Sequence, residues 1–270
     1  MEKPVYKLVA SDLDSTMITD KLEIPAANII AVERARRTGC HVVICSGRAT
    51  DSIMPFEQRL GLIGEGCYGI SFNGGVVYET ATRAKVRDIR LGRNIALEIL
   101  KELEDCEVCP LAYVGDKIYV VHENDFVRRY VHYVKIPCEA VESFSEIEGE
   151  ISLVKVVENM EKLMLINEQF SRCSNASFNK FFSSEFLLEF SAKGATKGEA
   201  LLFLADLMGV PAPQTIAIGD NLNDITMFET AGLGVAVSNG HSELKALADY
   251  VTSRHCSEGA VAEVIERYIL

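Results

Sequence analysis

The chain has 270 residues, 48% of them apolar, and a formal net charge of −12. That length is comfortable for two domains, each with its own core, while the acidic balance excludes a general nucleic-acid surface. No uninterrupted apolar run approaches a membrane span, and the N-terminus lacks the charged and apolar regions of a signal peptide, so a soluble, cytoplasmic protein with no membrane partner is expected.

The first predicted strand, about Lys7 to Leu13, carries the apolar run Leu8 to Ala10 and ends in Asp12-Leu13-Asp14, followed by Ser15 and Thr16. Open α/β sheets bind ligands outside the carboxyl ends of their strands, so two acids at such a tip can hold a divalent cation and also do chemistry. Taken alone, the triplet reads equally well as solvated loop acids. A helix is predicted over Ala26 to Thr38, then a strand over Val42 to Cys45 that ends at Ser46-Gly47-Arg48. A hydroxyl and a glycine amide at a strand tip can donate to a phosphate oxygen, although the same turn also reads as a helix cap. A third core strand, Gly69 to Phe72, leads into Asn73-Gly74-Gly75.

The pattern then changes. Strands at Lys117 to His122, Ile151 to Val157 and Phe186 to Phe190 are mixed with helices at Asn94 to Leu103, Asp125 to Tyr133 and Met160 to Phe170, which predicts an α+β unit. Beyond it, KGATKGEALLFLADLMG predicts a helix from Lys197 to Met208, capped by Thr196, with Ala200, Leu201, Leu204 and Leu207 at helical spacing. Lys197 falls in the first turn, where a cation opposes the helix dipole; the placement makes sense if an anion is held there. An ordinary surface lysine is the alternative, and Lys193 is the local competitor.

A further strand, Thr215 to Ile218, ends at a second acidic cluster, Asp220, Asn223 and Asp224. It is followed by a helix from Asn223 to Ala231, a strand from Gly234 to Val237 and a final helix from Gly259 to Tyr268. Two strand tips thus supply four carboxylates. Concentrated like charge calls for a cation, and oxygen ligands without interleaved His or Cys favour Mg2+ over zinc. Cys106 and Cys109 form a Cys-x-x-Cys pair, but Cys138 and Cys173 stand singly, so the thiols read as reduced and mostly buried, with Cys45 in the core. His41, His122, His132, His241 and His255 are scattered.

These four stretches, in this order, resemble the four motifs of the haloacid dehalogenase superfamily of phosphohydrolases, and the likeness to its Cof-type branch extends through SFNGGVVY, GLGVAVSNG and the C-terminal DYVTSRHCSEGAVAEVIE. The family commonly has Gly where this chain has Ser15. The resemblance implies an α/β fold, a mostly parallel doubly wound Rossmann-like sheet, with a large α+β cap inserted between the second and third motifs. On this reading residues 1–82 and 190–270 form the catalytic core and 83–189 the cap that selects substrates. Asp12 is expected as nucleophile and Asp14 as acid and base. Leu13 through its amide, Ser46, Gly47, Lys197 and Asn223 are expected to bind the phosphoryl oxygens. Mg2+ would be held by Asp12, the Asp14 backbone carbonyl and Asp220, with Asp224 either a ligand through water or a partner of the ligands. Asn73 and Gly74 are candidates on the substrate side. The implied substrate is a small phosphorylated metabolite, and no protein partner is evident. A phosphomutase of the same cap class, or a phospho-ligand-binding protein without catalysis, are the alternatives; the latter would be expected to lack one of the reacting acids, and both are present.

Overall fold

The computed structural model describes residues 6–171 and 177–270. Continuous apolar runs become strands buried on both faces, as a parallel sheet demands. Strand β1 (Leu8–Ser11) is followed by helix α1 (Ala26–Arg37), β2 (His41–Ile44) and α2 (Thr50–Arg59). An antiparallel group β3 (Tyr68–Ser71), β4 (Val76–Glu79) and β5 (Lys85–Asp88) comes next. The chain then makes α3 (Arg93–Glu104), β6 (Pro110–Val114), β7 (Lys117–Val120), α4 (Asp125–Val134), β8 (Cys138–Ala140), β9 (Leu153–Val157), α5 (Met160–Ser171), β10 (Phe178–Ser184) and β11 (Leu187–Ala192). It closes with α6 (Lys197–Leu207), β12 (Thr215–Gly219), α7 (Ile225–Thr230), β13 (Leu233–Ala236), α8 (Ser242–Leu247), β14 (Tyr250–Val251) and α9 (Ala260–Tyr268).

Contacts divide the chain into two compact units. The first runs to Gly47, from Ile53 to Asp88 and from Thr196 onward; the second takes Arg48–Ser52 and the span from Ile89 to Ala195. These junctions fall six residues beyond the expected 82/83 and 189/190. Lys85–Asp88 pairs with β4 in the first unit, while Leu187–Ala192 lies between two other strands of the second unit's sheet, so neither can be cut where the sequence pattern changes.

In the first unit a five-stranded parallel sheet has the order β14-β13-β12-β1-β2. Alternate residues of each strand serve opposite faces. Val9, Ile216, Ile218 and Val235 pack with Val32 of α1 and with Val261, Val264 and Ile265 of α9. Leu8, Ala10, Ala217 and Ala236 pack with Ala200, Leu201 and Leu204 of α6. Each fully buried aliphatic side chain of this kind contributes about 1.5–3 kcal/mol, so both faces anchor the strand tips. Because the chain leaves β1 toward β2 and leaves β12 toward β13, the loops after β1 and β12 diverge, which opens a crevice at their carboxyl ends.

The expected core strand Gly69 to Phe72 joins the antiparallel group instead of the parallel sheet. It turns back tightly into β4, and one parallel bridge, Cys45 to Ile70, links it to the end of β2. The first strand stops at Ser11, two residues short of expectation, because Leu13 closes the following turn by accepting from Met17 and Ile18 amides. The expected helix from Asn223 opens as a 3-10 turn, Leu222–Asp224, before α7. Leu207 is 48% exposed, and Ala205 takes the buried place on α6.

The second unit has a six-stranded sheet of order β10-β11-β9-β6-β7-β8, antiparallel except for the β7 and β8 pair. Ile99, Leu100 and Leu103 of α3 and Leu163, Ile166 and Phe170 of α5 cover Ala112, Val154, Val156, Leu188 and Phe190 on one face. Of the described cysteines, Cys40, Cys45 and Cys256 are buried while Cys67, Cys106, Cys109 and Cys138 are only half-buried, so burial is less general than expected; all seven are free thiols, and Cys173 lies outside the described residues. No helix among the described residues is long and apolar enough to cross a membrane.

Candidate active site

The parallel register sets Ser11 beside Ile218 on one side and Ile44 on the other, so three strand tips open onto the same crevice. The Asp12 amide continues the ladder by donating to the Ile218 carbonyl at 2.8 Å, and the Cys45 amide donates to the Ser11 carbonyl at 2.8 Å. Beyond β1 the chain turns sharply. Ser15 has φ +56°, a left-handed conformation that favours glycine and accounts for the Gly usual at this place in the family. Asn239 donates to the Ser15 carbonyl at 2.7 Å, and buried Asn28 donates to the Met17 carbonyl at 3.0 Å while accepting from the Ala262 amide at 2.9 Å. The turn is therefore tied to two other parts of the unit.

Carboxylate oxygens of Asp12, Asp220 and Asp224 lie within 4.8 Å of one another. Lys197 stands among them, fully buried, with Nζ 2.5 Å from Asp12 Oδ1 and 2.6 Å from Asp224 Oδ1. It occupies the first position of α6, whose cap is Thr196, accepting from the Glu199 amide. Lys193 is exposed, and Lys197 is the one of the two lysines that pairs with Asp12 and Asp224. The second oxygen of Asp224 accepts from the Asp220 and Asn221 amides at 3.0 Å each. Asp224 is thereby committed on both oxygens, one to the lysine and one to the loop that carries Asp220. Gly219 permits this, since a Cβ there would stand 2.4 Å from the Asp224 carboxylate.

The electrostatics follow from burial. Desolvation pushes the Asp12 carboxyl up to about 7, with Lys197 pulling it down and Asp224 and Asp14 adding to the rise. Asp220 is likewise raised well above the usual carboxylate range, chiefly by burial and then by Asp12 and Asp224, against a hydrogen bond from Thr16. Burial alone would lower the Lys197 ammonium, but Asp12 and Asp224 overcome it and hold the group well above its ordinary value. Ionised together, the three clustered acids would outnumber the one buried cation, so their repulsion adds to burial in raising Asp12 and Asp220, and the donors are all hard oxygens. A small divalent cation fits that set.

The remaining expected residues are placed as follows. Asp14 is half-buried in the turn, and its carboxylate is not in the cluster. Leu13 is fully buried. Ser46 is 1% exposed at the end of β2; its amide donates to Ile70 and its carbonyl accepts from Asn73. Asn223 Nδ2 donates to Asn73 Oδ1 at 2.9 Å. Asn73 packs on Gly47, and Gly74 packs on the Thr196 carbonyl. Sequence reasoning missed Thr16 as a site residue: buried, it donates to Asp220 Oδ1 at 2.9 Å. Its position two residues after the acidic triplet was the available signal. Thr226, accepting from the Gly198 amide, had no such signal, and Asn239 had only its place in the GLGVAVSNG stretch.

A family model described as haloacid dehalogenase-like hydrolase matches residues 9–265. Pyridoxal phosphate phosphatase YbhA of Escherichia coli is 26% identical over 98% of this chain and 99% of its own length. The 5-amino-6-(5-phospho-D-ribitylamino)uracil phosphatase YwtE of Bacillus subtilis is 27% identical over 97% and 98%. A crystal structure of a haloacid dehalogenase-like hydrolase from Bacteroides thetaiotaomicron superimposes with a TM-score of 0.86 at 28% identity, covering 97% of this chain and 99% of that one. With the motif loops gathered at one crevice and the match running nearly end to end, the chain belongs to the haloacid dehalogenase-like hydrolases, in their Cof-type phosphatase branch.

Proposed function

We propose that the protein hydrolyses a small phosphomonoester in a Mg2+-dependent reaction that passes through an aspartyl-phosphate on Asp12. The observation that carries this reading is the Asp12 carboxylate fixed by Lys197 at 2.5 Å, inside a cluster of acids that needs a cation. Asp12, Asp220 and the Asp14 backbone carbonyl would hold the metal, and Asp224 would act through Lys197 and the loop amides it binds. Bound Mg2+ screens the charge between an anionic nucleophile and the phosphoryl oxygens.

An Asp12 oxygen attacks phosphorus as the ester P–O bond breaks, and Asp14 gives its proton to the departing alcohol. Asp14 then takes a proton from the water that attacks the acyl-phosphate, which frees inorganic phosphate and restores Asp12. The Leu13 and Gly47 amides, Ser46, Lys197 and Asn223 bind the oxygens that gather charge in the transition state. Substrate choice is assigned to the unit spanning residues 89–195, which carries none of these reacting groups. Relatives named for pyridoxal phosphate and for a phosphoribitylamino-uracil support a small phosphorylated metabolite as substrate class. The test is phosphate release across a panel of phosphorylated metabolites. Wild-type protein should turn over at least one with Mg2+, and Asp12→Asn none, with deamidation excluded by mass spectrometry.

A further inference from the structure

Between β3 and β4 lies a three-residue 3-10 turn, Phe72-Asn73-Gly74, in which every residue has positive φ: +52°, +53° and +96°. A phenylalanine in the left-handed region is an outlier, and Asn tolerates it better than other side chains. Strain of this kind persists where the surroundings fix it, and such places cluster at functional sites. Here the surroundings are three loops. The Asn73 amide donates to the Ser46 carbonyl at 3.0 Å. Its side-chain Oδ1 accepts from Asn223 Nδ2 at 2.9 Å. The same side chain lies so close over Gly47 that a Cβ there would stand 2.7 Å from Asn73 Nδ2. Next to it, Gly74 lies against the start of α6, where a Cβ would come within 2.1 Å of the Thr196 carbonyl and 3.0 Å of the Lys197 amide.

Ser46 with Gly47, Lys197 and Asn223 are the phosphoryl-binding groups of the reading above, and they come from separate parts of the chain. Asn73, buried to 2% exposure, sits between two of them, and its neighbour Gly74 abuts the third. We propose that Asn73 is a positioning residue for the phosphoryl-binding site. Its amide sets the rotamer of Asn223 and the height of the Gly47 backbone, so that both donors face one phosphoryl position, without touching substrate itself. This deepens the proposed function and rests on it. Preorganised donors are effective only when their orientation is fixed before the charge develops.

The test uses Asn73→Gly, which keeps the left-handed backbone and its donation to Ser46 but removes the side-chain amide. Inhibition by orthovanadate and the kinetics of aryl-phosphate hydrolysis are measured for wild type, Asn73→Gly, Asn223→Ala and the double variant. Loss of positioning should weaken vanadate inhibition and lower kcat/KM about tenfold or more, with a thermal midpoint close to wild type. In the Asn223→Ala background Asn73→Gly should cost clearly less than in wild type, because the part carried by the Asn73–Asn223 contact is already lost and only the contact with Gly47 remains. A full, additive effect in that background, or wild-type vanadate inhibition and kcat/KM in Asn73→Gly, would overturn the proposal. If Asn73→Gly does not accumulate folded, Asn73→Ser, too short to reach Asn223, goes through the same cycle. An inactive wild type, or an active Asp12→Asn, would instead remove the underlying phosphohydrolase reading.

Discussion

Lys197 Nζ stands 2.5 Å from Asp12 Oδ1 with both side chains closed off from solvent, so the proposed nucleophile is held by the buried cation of the site. That cation is also part of why three acids tolerate one another. Lys197→Met should therefore cost about 3–5 kcal/mol in metal-free protein, since it leaves carboxylates buried without their partner. Added Mg2+ should restore part of the stability by binding the native state, while turnover stays at least about a hundredfold down. Thermal denaturation in chelator and in Mg2+ measures both effects. An unchanged midpoint in chelator would show that Lys197 does not balance the cluster.

Chelation should silence turnover, and Mg2+ should restore it. Ca2+ should substitute poorly, because its larger and looser coordination shell misplaces the nucleophile. Asp220→Ala should shift the Mg2+ concentration for half-maximal rate upward. Asp224→Ala should act differently, freeing Lys197 and the 220–221 loop amides at once, and should lower the rate at saturating Mg2+ as well. Metal titrations of the two variants separate these patterns.

The strand tips were legible because strands buried on both faces read as apolar runs, and each ended at polar residues with unusual spacing: Asp12 and Asp14, Ser46, then Asp220 to Asp224. Lys197 could be placed because its cap and the spacing of Ala200, Leu201 and Leu204 set the helix start. Helix α2 was hidden by Pro55 in its interior, and β8, with two of its three residues exposed, has no apolar run to read. The left-handed turn at Phe72 and Asn73 was equally hidden. Nothing in a Phe-Asn pair announces positive φ, which is imposed by contacts with loops far away in sequence. For the same reason the commitment of both Asp224 oxygens became visible only when α6 and the 220–224 loop were seen together.

Glu263 on α9 gives a pH signature away from the site. It accepts from Tyr250 at 2.6 Å, from the Ser253 amide and hydroxyl at 2.8 Å each, and from the Arg254 amide at 2.9 Å. Burial would raise its carboxyl, but these bonds outweigh burial and lower it from 4.5 to about 2. A folded-state value below the unfolded one means the stabilisation is complete above about pH 5 and is lost as pH falls from 4.5 toward 2. Glu263→Gln should be destabilised by about 1–3 kcal/mol at neutral pH and should lose less on acidification than wild type. Parallel stability curves across pH 3 and 7 would refute this.

In the second unit Lys155 and Glu189 form an ion pair at 3.1 Å, the two side chains 3% and 1% exposed. Glu189→Gln should destabilise the unit by about 3–5 kcal/mol, and Lys155→Met with Glu189→Leu much less, since the pair is removed together. Denaturant unfolding of the three proteins checks the order.

The central claim is that Asp12 becomes phosphorylated, and Asp14→Asn offers the most direct view of it. A good leaving group such as p-nitrophenolate needs little proton donation, so this variant should still form the acyl-phosphate, but it lacks the base that activates water for its breakdown. Mixed with p-nitrophenyl phosphate and Mg2+ and then acid-quenched, Asp14→Asn should gain the mass of one phosphoryl group, which fragmentation of the active-site peptide should place on Asp12. A phosphoryl group located elsewhere, or a protein that turns over the ester yet never carries one, would contradict it.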